Sequence, residues 1–280
     1  MKRIFGMIGI VVVCSLVLVG CGGKSDAKDD SANKNEPKSD LVVGGSTSIQ
    51  PLMEQIAESY NKAGEGTITV QGGGSGVGTK GATDGTFDVG MASRDLEGSE
   101  VDALDGTEIA LDGIVIIVNK DNPVKELSLE QAKQIYTGEI TNWKDVGGND
   151  QEIAVVSREE GSGTRDGFES IVGFETDQLV ANADIQNATG AVTTSVSGNA
   201  QAIGYISMGS VSEEVNVLTV EGVDASVETV KDGSYKLQRP FILCVKKDSN
   251  AGDKLYDFIF SDEGKKLIED HKYIPVDRAE

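Results

Sequence analysis

Three short glycine- and serine-rich stretches constrain this chain more than anything else in it: Gly44-Gly-Ser-Thr-Ser48, Gly72-Gly-Gly-Ser-Gly-Val-Gly78 and Gly161-Ser-Gly-Thr164. Each stands between a run with strand character and a run with helix character. Leu41-Val-Val43 precedes the first, and a helix from about Pro51 follows it, with Leu52, Ile56 and Tyr60 at i, i+4 and i+8. Thr67-Ile-Thr-Val70 precedes the second, which leads into a predicted helix near Lys80. Ile153 to Ser157 precedes the third, and a helix from Thr164 to Val172 follows it with Phe168, Ile171 and Val172 on one face. The repeated order of strand, small-residue loop and helix predicts an α/β fold with mainly parallel sheets flanked by helices. In such sheets ligands bind beyond the carboxyl ends of the strands, where these loops lie.

The remaining signals fit the same plan. Asp88 to Ala92 is a third strand ending at Ser93-Arg94, and Ala202 to Ile206 is another. Ser128-Leu-Glu-Gln131 is a capping box for a helix through Tyr136, which Gly138 stops. Lys254 to Ile268 reads as one amphipathic helix. Ile109 to Asn119 and Phe241 to Val245 are apolar runs suited to be the two crossovers that join a pair of lobes around a cleft.

The first twenty residues address the compartment. Lys2 and Arg3 precede an apolar run from Ile8 to Val19 that is too short to span a bilayer, the pattern of a signal peptide over residues 1–20. It ends Leu18-Val-Gly-Cys21, which resembles the bacterial lipobox and predicts cleavage before Cys21 and acylation of its thiol, a palmitate-type anchor to the cell membrane. Residues 21–40 lack any large apolar side chain and are expected to form a flexible tether. About 240 residues then remain from Leu41, enough for two modest lobes.

Several function classes lose support at this point. The formal charge is −21, and without Lys2 and Arg3 the mature chain carries 23 basic against 46 acidic residues, which repels nucleic acid. An anion site on such a surface has to work through short-range hydrogen bonds and fixed dipoles. Cys14 leaves with the leader and Cys21 is acylated, so Cys244 lacks a disulfide partner and reads as a small buried hydrophobe. His271 is the only histidine, so neither a metal framework nor a His-activated nucleophile is in view, and neither cofactor nor enzymatic activity is expected. A phosphate loop for nucleotides needs lysine before the hydroxyl residue, whereas Thr79 precedes Lys80 here.

The loops themselves suit a tetrahedral oxyanion. Glycine lets backbone approach closely, helix N-termini present free N–H groups, and serine and threonine add donors. Arg158 stands three residues before Gly161, and Arg94 follows the strand ending at Ser93; either guanidinium can pair bidentately with a phosphate, or else form a surface ion pair with Asp95, Glu159 or Glu160.

The ordered set Gly-Gly-Ser-Thr-Ser-Ile-Gln-Pro-Leu, Gln-Gly-Gly-Gly-Ser-Gly, Asp-Val-Gly-Met-Ala-Ser-Arg, Ile140-Thr-Asn-Trp143, Ser-Arg-Glu-Glu-Gly-Ser-Gly-Thr-Arg and Ala-Ile-Gly-Tyr-Ile resembles the phosphate-binding lipoproteins of Pst-type ABC transporters. The resemblance spans nearly all of residues 41–280. It implies a two-lobed, type II periplasmic-binding-protein-like fold. Lobe I would be residues 41–114 plus 239–280, and lobe II residues 115–238. It also implies a monomeric receptor that captures inorganic phosphate and hands it to membrane permease subunits. Carried over position by position, Thr47, Ser48, Ser75, Arg158, Ser162, Gly163 and Thr164 fall where the family holds phosphate, with Ser93 and Arg94 at the end of the third strand. Better-known members have Ser-Asp there, and that aspartate accepts the proton of hydrogen phosphate. With Ser93-Arg94 the acceptor is Asp88, Asp95, Asp166 or another group, or it is missing. A receptor for sulfate, molybdate or tungstate is therefore the main alternative, and a secreted phosphate-ester hydrolase a further one.

Overall fold

The computed structural model describes residues 39–278; the signal peptide, Cys21 and nearly all of the expected tether lie outside the described residues. The chain begins with β1 (Ser39–Gly45), α1 (Gln50–Ala63), β2 (Gly66–Gly72), α2 (Ser75–Asp84), β3 (Val89–Ala92), a short α3 (Ser99–Ala103) and β4 (Leu104–Asn119). It continues through β5 (Glu126–Leu127), α4 (Leu129–Tyr136), β6 (Ala154–Arg158), α5 (Gly163–Val172), β7 (Asp184–Gln186), α6 (Thr189–Gly198), β8 (Ala202–Ser207), β9 (Val215–Val217), β10 (Thr219–Val220) and α7 (Val227–Lys231). It returns in β11 (Gln238–Lys246), α8 (Asp253–Ile259), α9 (Asp262–Asp270) and β12 (Ile274–Pro275).

The strands line up in the order β2-β1-β3-β11-β4-β8-β6-β7. The outer strands on each side pair in parallel, while β11 and β4 are antiparallel to each other and to their neighbours β3 and β8. β4 is the element that crosses. Its first half, to Gly113, pairs with β11, and from Ile114 to Val118 it pairs with β8. From Asp112 to Asn119 every residue of β4 is buried, because helices cover both faces of the sheet there, which explains the unbroken apolar sequence.

Two cores form on either side of this crossing. One gathers Leu41, Val43, Leu52, Ile56, Tyr60, Phe241 and their neighbours; the other gathers Ile114 to Val118, Tyr136, Trp143, Phe168, Tyr205 and Leu237. The boundary between them falls between Ala110 and Ile114 on the way out and between Leu237 and Phe241 on the way back.

Local chemistry sets most element ends. The Ser128–Gln131 capping box starts α4 as the sequence predicts, and Gly64 closes α1 in the left-handed conformation at φ 82°. Three boundaries differ from expectation. β1 begins at Ser39, two residues inside the stretch read as tether, because parallel pairing with Gly66 and Thr67 uses backbone groups and is indifferent to side-chain polarity. α2 begins at Ser75, so half of the second glycine-rich stretch is helix rather than loop. There Gly78 is required, since a Cβ would lie 2.9 Å from Gly44 O where the helix packs on the sheet. The single C-terminal helix is two, because Ser261 Oγ accepts from Gly264 N and starts a new helix.

Cys244 is fully buried, as expected of a packing residue, and burial pushes its thiol up to about 12. Among the described residues no helix is long and apolar enough to cross a membrane.

Trp143, at the end of the Ile140-Thr-Asn-Trp143 motif, is a packing residue 1% exposed whose indole Nε1 donates to Gln201 O at 2.9 Å. Trp143→Ala should destabilise the folded chain by about 3–5 kcal/mol in urea titrations with little change in ligand affinity.

Candidate anion-binding site

The three small-residue stretches meet at the carboxyl ends of β1, β2 and β6. Gly45 O accepts from both Gly73 N and Gly74 N, tying the first loop to the second. Gly76 N, in the first turn of α2, donates to Gly161 O across the cleft, tying the second to the third. Ser46 Oγ accepts from Ser48 N and Ile49 N, organising the start of α1. Four helix N-termini, those of α1, α2, α5 and α6, therefore approach one region.

Within it the hydroxyls form a connected set. Ser75 Oγ accepts from Ser93 N at 3.0 Å and lies 3.2 Å from Ser93 Oγ, which also receives the Ser46 hydroxyl at 3.0 Å. Ser48 Oγ is 2.9 Å from Thr164 Oγ1 and 3.3 Å from Thr189 Oγ1. Gly163 opens α5 against this set, and a Cβ there would collide with Ser75 Oγ and sit 2.8 Å from Ser93 Oγ. Hydroxyl protons rotate freely, so a cluster of this kind can turn its donors toward an incoming acceptor.

Arg158 closes one side. It is 2% exposed, with Nη2 donating to Thr47 Oγ1 at 3.1 Å and Nη1 to Thr189 Oγ1 at 3.3 Å. Its other edge is held by Glu159 in a two-point pair, Nε to Oε2 and Nη2 to Oε1, both 2.8 Å. Thr47 belongs to the first core's loop and Arg158 to the second's, so their bond spans the cleft.

Of the nine residues the sequence points to, Thr47, Ser48, Ser75, Ser93, Arg158, Gly163 and Thr164 are brought together. Ser162 lies at the edge of the set, where its hydroxyl accepts from Arg165 N and caps α5. Arg94 is the clear departure. Its guanidinium donates to Asp166 Oδ2 at 3.0 Å, to both oxygens of Glu100 at 2.8 and 3.0 Å, and to Asp95 O at 2.8 Å. Two carboxylates and a backbone carbonyl around one cation leave it facing them rather than the hydroxyls.

None of the three aspartates considered as proton acceptor joins the set either. Asp88 accepts from Val42 N at the opposite end of β3, Asp95 is exposed, and Asp166 is engaged by Arg94.

Beside Ser46, which lies in the first loop, three participants outside the loops were missed. Thr189 follows a polar stretch with no glycine loop, and only the fold brings α6 beside α1. Asp112 and Arg239 are opposite each other in the β4–β11 register, both at the crossing. Arg239 Nε and Nη2 donate to Asp112 Oδ2 at 3.1 and 2.9 Å, and Asp112 Oδ1 accepts from Ser207 Oγ and Met208 N. Burial raises the Asp112 carboxyl to about 6 against the pull of Arg239 and its hydrogen bonds. The visible signal was a charge interrupting an apolar run at Asp112-Gly113, which requires a buried counter-charge somewhere else in the chain.

A family model for the PBP superfamily domain matches residues 30–263. The phosphate-binding protein PstS of Bacillus subtilis is 30% identical over 273 residues, covering 93% of this chain and 90% of the relative. The PstS of Staphylococcus haemolyticus is 32% identical over 292 residues, covering 96% and 91%. Among solved structures, a Clostridium perfringens protein described as a phosphate ABC transporter substrate-binding protein, crystallised with phosphate, is 46% identical. It superposes with a TM-score of 0.83 over 85% of this chain and 100% of that one. An ABC-type phosphate transport receptor of Vibrio cholerae is 40% identical with a TM-score of 0.71. The two-lobed α/β fold, the loop motifs and these relatives agree: this chain belongs to the PBP superfamily, within its PstS phosphate-binding group.

Proposed function

We propose that this chain is an extracytoplasmic receptor that captures inorganic phosphate in its cleft and delivers it to an ABC importer, acting as a binding protein rather than an enzyme. The observation that carries this is the convergence of donors from both sides of the cleft: the α1, α2, α5 and α6 N-termini, the hydroxyls of Thr47, Ser48, Ser75, Ser93 and Thr164, and the Arg158 guanidinium. Such a set offers many hydrogen bonds to a tetrahedral anion and supplies no nucleophile–base pair for turnover. Ser162 and the backbone of Gly163 complete the third loop's contribution.

The lobes are taken as residues 41–114 with 239–280, and 115–238, limits that the division of the two cores supports. Closure by a hinge at β4 and the segment before β11 would trap the ligand between them. The closed form is then what a permease reads. The receptor works as a monomer, held at the outer face of the membrane by an acylated Cys21. Mass spectrometry of the mature N-terminus should find Cys21 as the first residue carrying lipid, and Cys21→Ser should release the protein into the medium.

A second oxyanion specificity has one specific observation in its favour. The carboxylates nearest the hydroxyl set, Glu159 and Asp112, are each already taken by a guanidinium, so none stands free to accept the proton of hydrogen phosphate. An acceptor facing an acceptor costs about 1–3 kcal/mol, which is why such a group discriminates.

Calorimetric titration of the full chain in mild detergent, stripped of anion, with phosphate, sulfate and molybdate in parallel decides between them. Phosphate binding below micromolar with sulfate silent is the expected result; tight sulfate or molybdate binding with weak phosphate would replace the phosphate assignment. Arg158→Gln should weaken phosphate about 100-fold, equivalent to losing a charge-assisted hydrogen bond of ~3 kcal/mol.

Arg94 joins the lobes instead of the ligand. It follows β3 in the first lobe and pairs with Asp166 on α5 of the second. Arg94→Gln should therefore lower the melting temperature and leave the phosphate dissociation constant within about threefold, against the 100-fold of Arg158→Gln. Its partner Glu100 is pushed up by burial but held down to about 2 by hydrogen bonds from Arg94, Thr79 and Glu97 N. A carboxyl depressed on folding adds stability above its unfolded value, here 4.5, and that stability is lost as pH falls toward 2. Denaturant midpoints measured across that window should drop for the parent chain and fall less steeply for Glu100→Gln.

A further inference from the structure

We propose that Arg239 is a second guanidinium of the anion site, reaching the bound oxyanion from the crossing strands, and that Asp112 is the residue that positions it. The inference rests on the receptor reading above and adds to it a specificity-determining residue outside the three loops.

The geometry divides the guanidinium in two. One edge, Nε with one Nη2 proton, faces Asp112 Oδ2. The other edge points at the hydroxyl set: Nη2 donates to Ser48 Oγ at 3.1 Å, and Nη1 donates to Ser93 Oγ at 3.2 Å and Ser93 O at 3.3 Å. Ser48 and Ser93 come from different loops, so Arg239 touches the cradle at two separate places. A purely structural arginine would direct its fork at its carboxylate partner, since the two-point pair is the favourable geometry. Here Asp112 offers Arg239 a single oxygen, Oδ2, and spends the other on Ser207 and Met208 N. That arrangement holds the arginine in place while leaving three of its N–H groups for the cleft.

The electrostatics point the same way. Arg239 is 4% exposed and Arg158 2%; burial lowers the Arg239 guanidinium from its ordinary value, the charge and hydrogen bonds of Asp112 oppose that, and the charge of Arg158 adds a smaller contribution in the same direction as burial. Two buried cations approaching one set of hydroxyls repel each other, and a dianion between them converts that repulsion into attraction. Each guanidinium has one carboxylate of its own, Glu159 or Asp112, so the protein side is close to neutral before an anion arrives. The acidic surface then matters little inside the cleft.

Asp112 and Arg239 also sit where β4 passes from β11 to β8, at Asp112↔Arg239 and Ile114↔Ser207. Tyr273 links the same network back to the first loop, its hydroxyl lying 3.1 Å from Ser207 Oγ and donating to Ser48 O at 3.4 Å. Any ligand contact made by Arg239 is thus made by the hinge itself.

The test uses the full chain and inorganic phosphate, read by calorimetry and by thermal melting with and without phosphate. Arg239→Lys keeps a cation beside Asp112 but loses the planar fork, and should weaken phosphate at least tenfold. The double variant Arg239→Gln with Asp112→Asn removes both buried charges together, avoids an orphaned carboxylate and should weaken phosphate about 100-fold while the melting temperature stays near the parent's. Asp112→Asn alone separates ligand contact from scaffolding. The amide oxygen can still receive Nε and Nη2 and keep the fork in position, but the counter-charge is gone, so the anion-free protein should melt lower, yet phosphate should bind several-fold tighter because it becomes the charge partner of that cation. If the double variant and Arg239→Lys both bind phosphate within threefold of the parent, or if Asp112→Asn weakens binding as the double variant does, the role assigned to Arg239 is overturned while the receptor reading stands. If the parent itself binds no phosphate, the receptor reading falls and this one with it.

Discussion

β4 and β11 run antiparallel through the middle of the molecule, and nearly every other feature depends on that pair. β4 hands its hydrogen bonds from β11 to β8 within two residues, which forces one continuous sheet to serve two separate cores. Asp112 and Arg239 are directly opposite each other at that point, both almost wholly buried. Charges so placed are costly to dehydrate, and they persist here with every partner satisfied: Arg239 by Asp112, Ser48 and Ser93, Asp112 by Arg239, Ser207 and Met208 N. This polar joint lies between the two apolar cores and touches the hydroxyl set through Ser48 and Ser93.

The chemistry of the cleft follows from how backbone ends are disposed. Parallel strands on either side of the crossing deliver their carboxyl ends, and hence the succeeding helix N-termini, to the same region. The partial positive charge of those termini and the free N–H groups need no side-chain cation, which lets a chain of net charge −21 build an anion site. The cations that are present, Arg158 and Arg239, are each neutralised by one carboxylate and each presents its remaining donors to hydroxyls. Selection among oxyanions then turns on hydrogen-bond count and on proton acceptors within a dehydrated site rather than on long-range attraction.

Much of this was legible beforehand because it is local. Strand, loop and helix alternation, the Ser128 capping box, the α1 and α5 faces and the three small-residue loops all express interactions within a few residues. What went astray did so where two distant segments decide. Ser39 and Asp40 are polar, yet β2 offers them backbone partners. Ser162 has a second task that its residue type did not announce: its oxygen accepts from Arg165 N and starts α5, while its own proton stays free to donate. Arg94 follows a serine in a loop near the cleft, and its orientation was settled by Glu100 and Asp166, the latter 72 residues away in sequence.

By itself, then, the amino-acid order determined the α/β class, the two-lobed plan through its family motifs, and the set of hydroxyl-rich loops that meet at the strand ends, since each is written in short-range periodicity and in residue types that only certain backbone shapes accept. The tertiary structure alone decided which charges face one another. Arg94 was drawn to acids outside the cleft, and Arg239 was brought 127 residues along the chain to Asp112 and from there to Ser48 and Ser93. The physical reason is that an ion pair has no sequence period. A buried carboxylate demands a cation, and only the register of two strands far apart in the chain says which one answers.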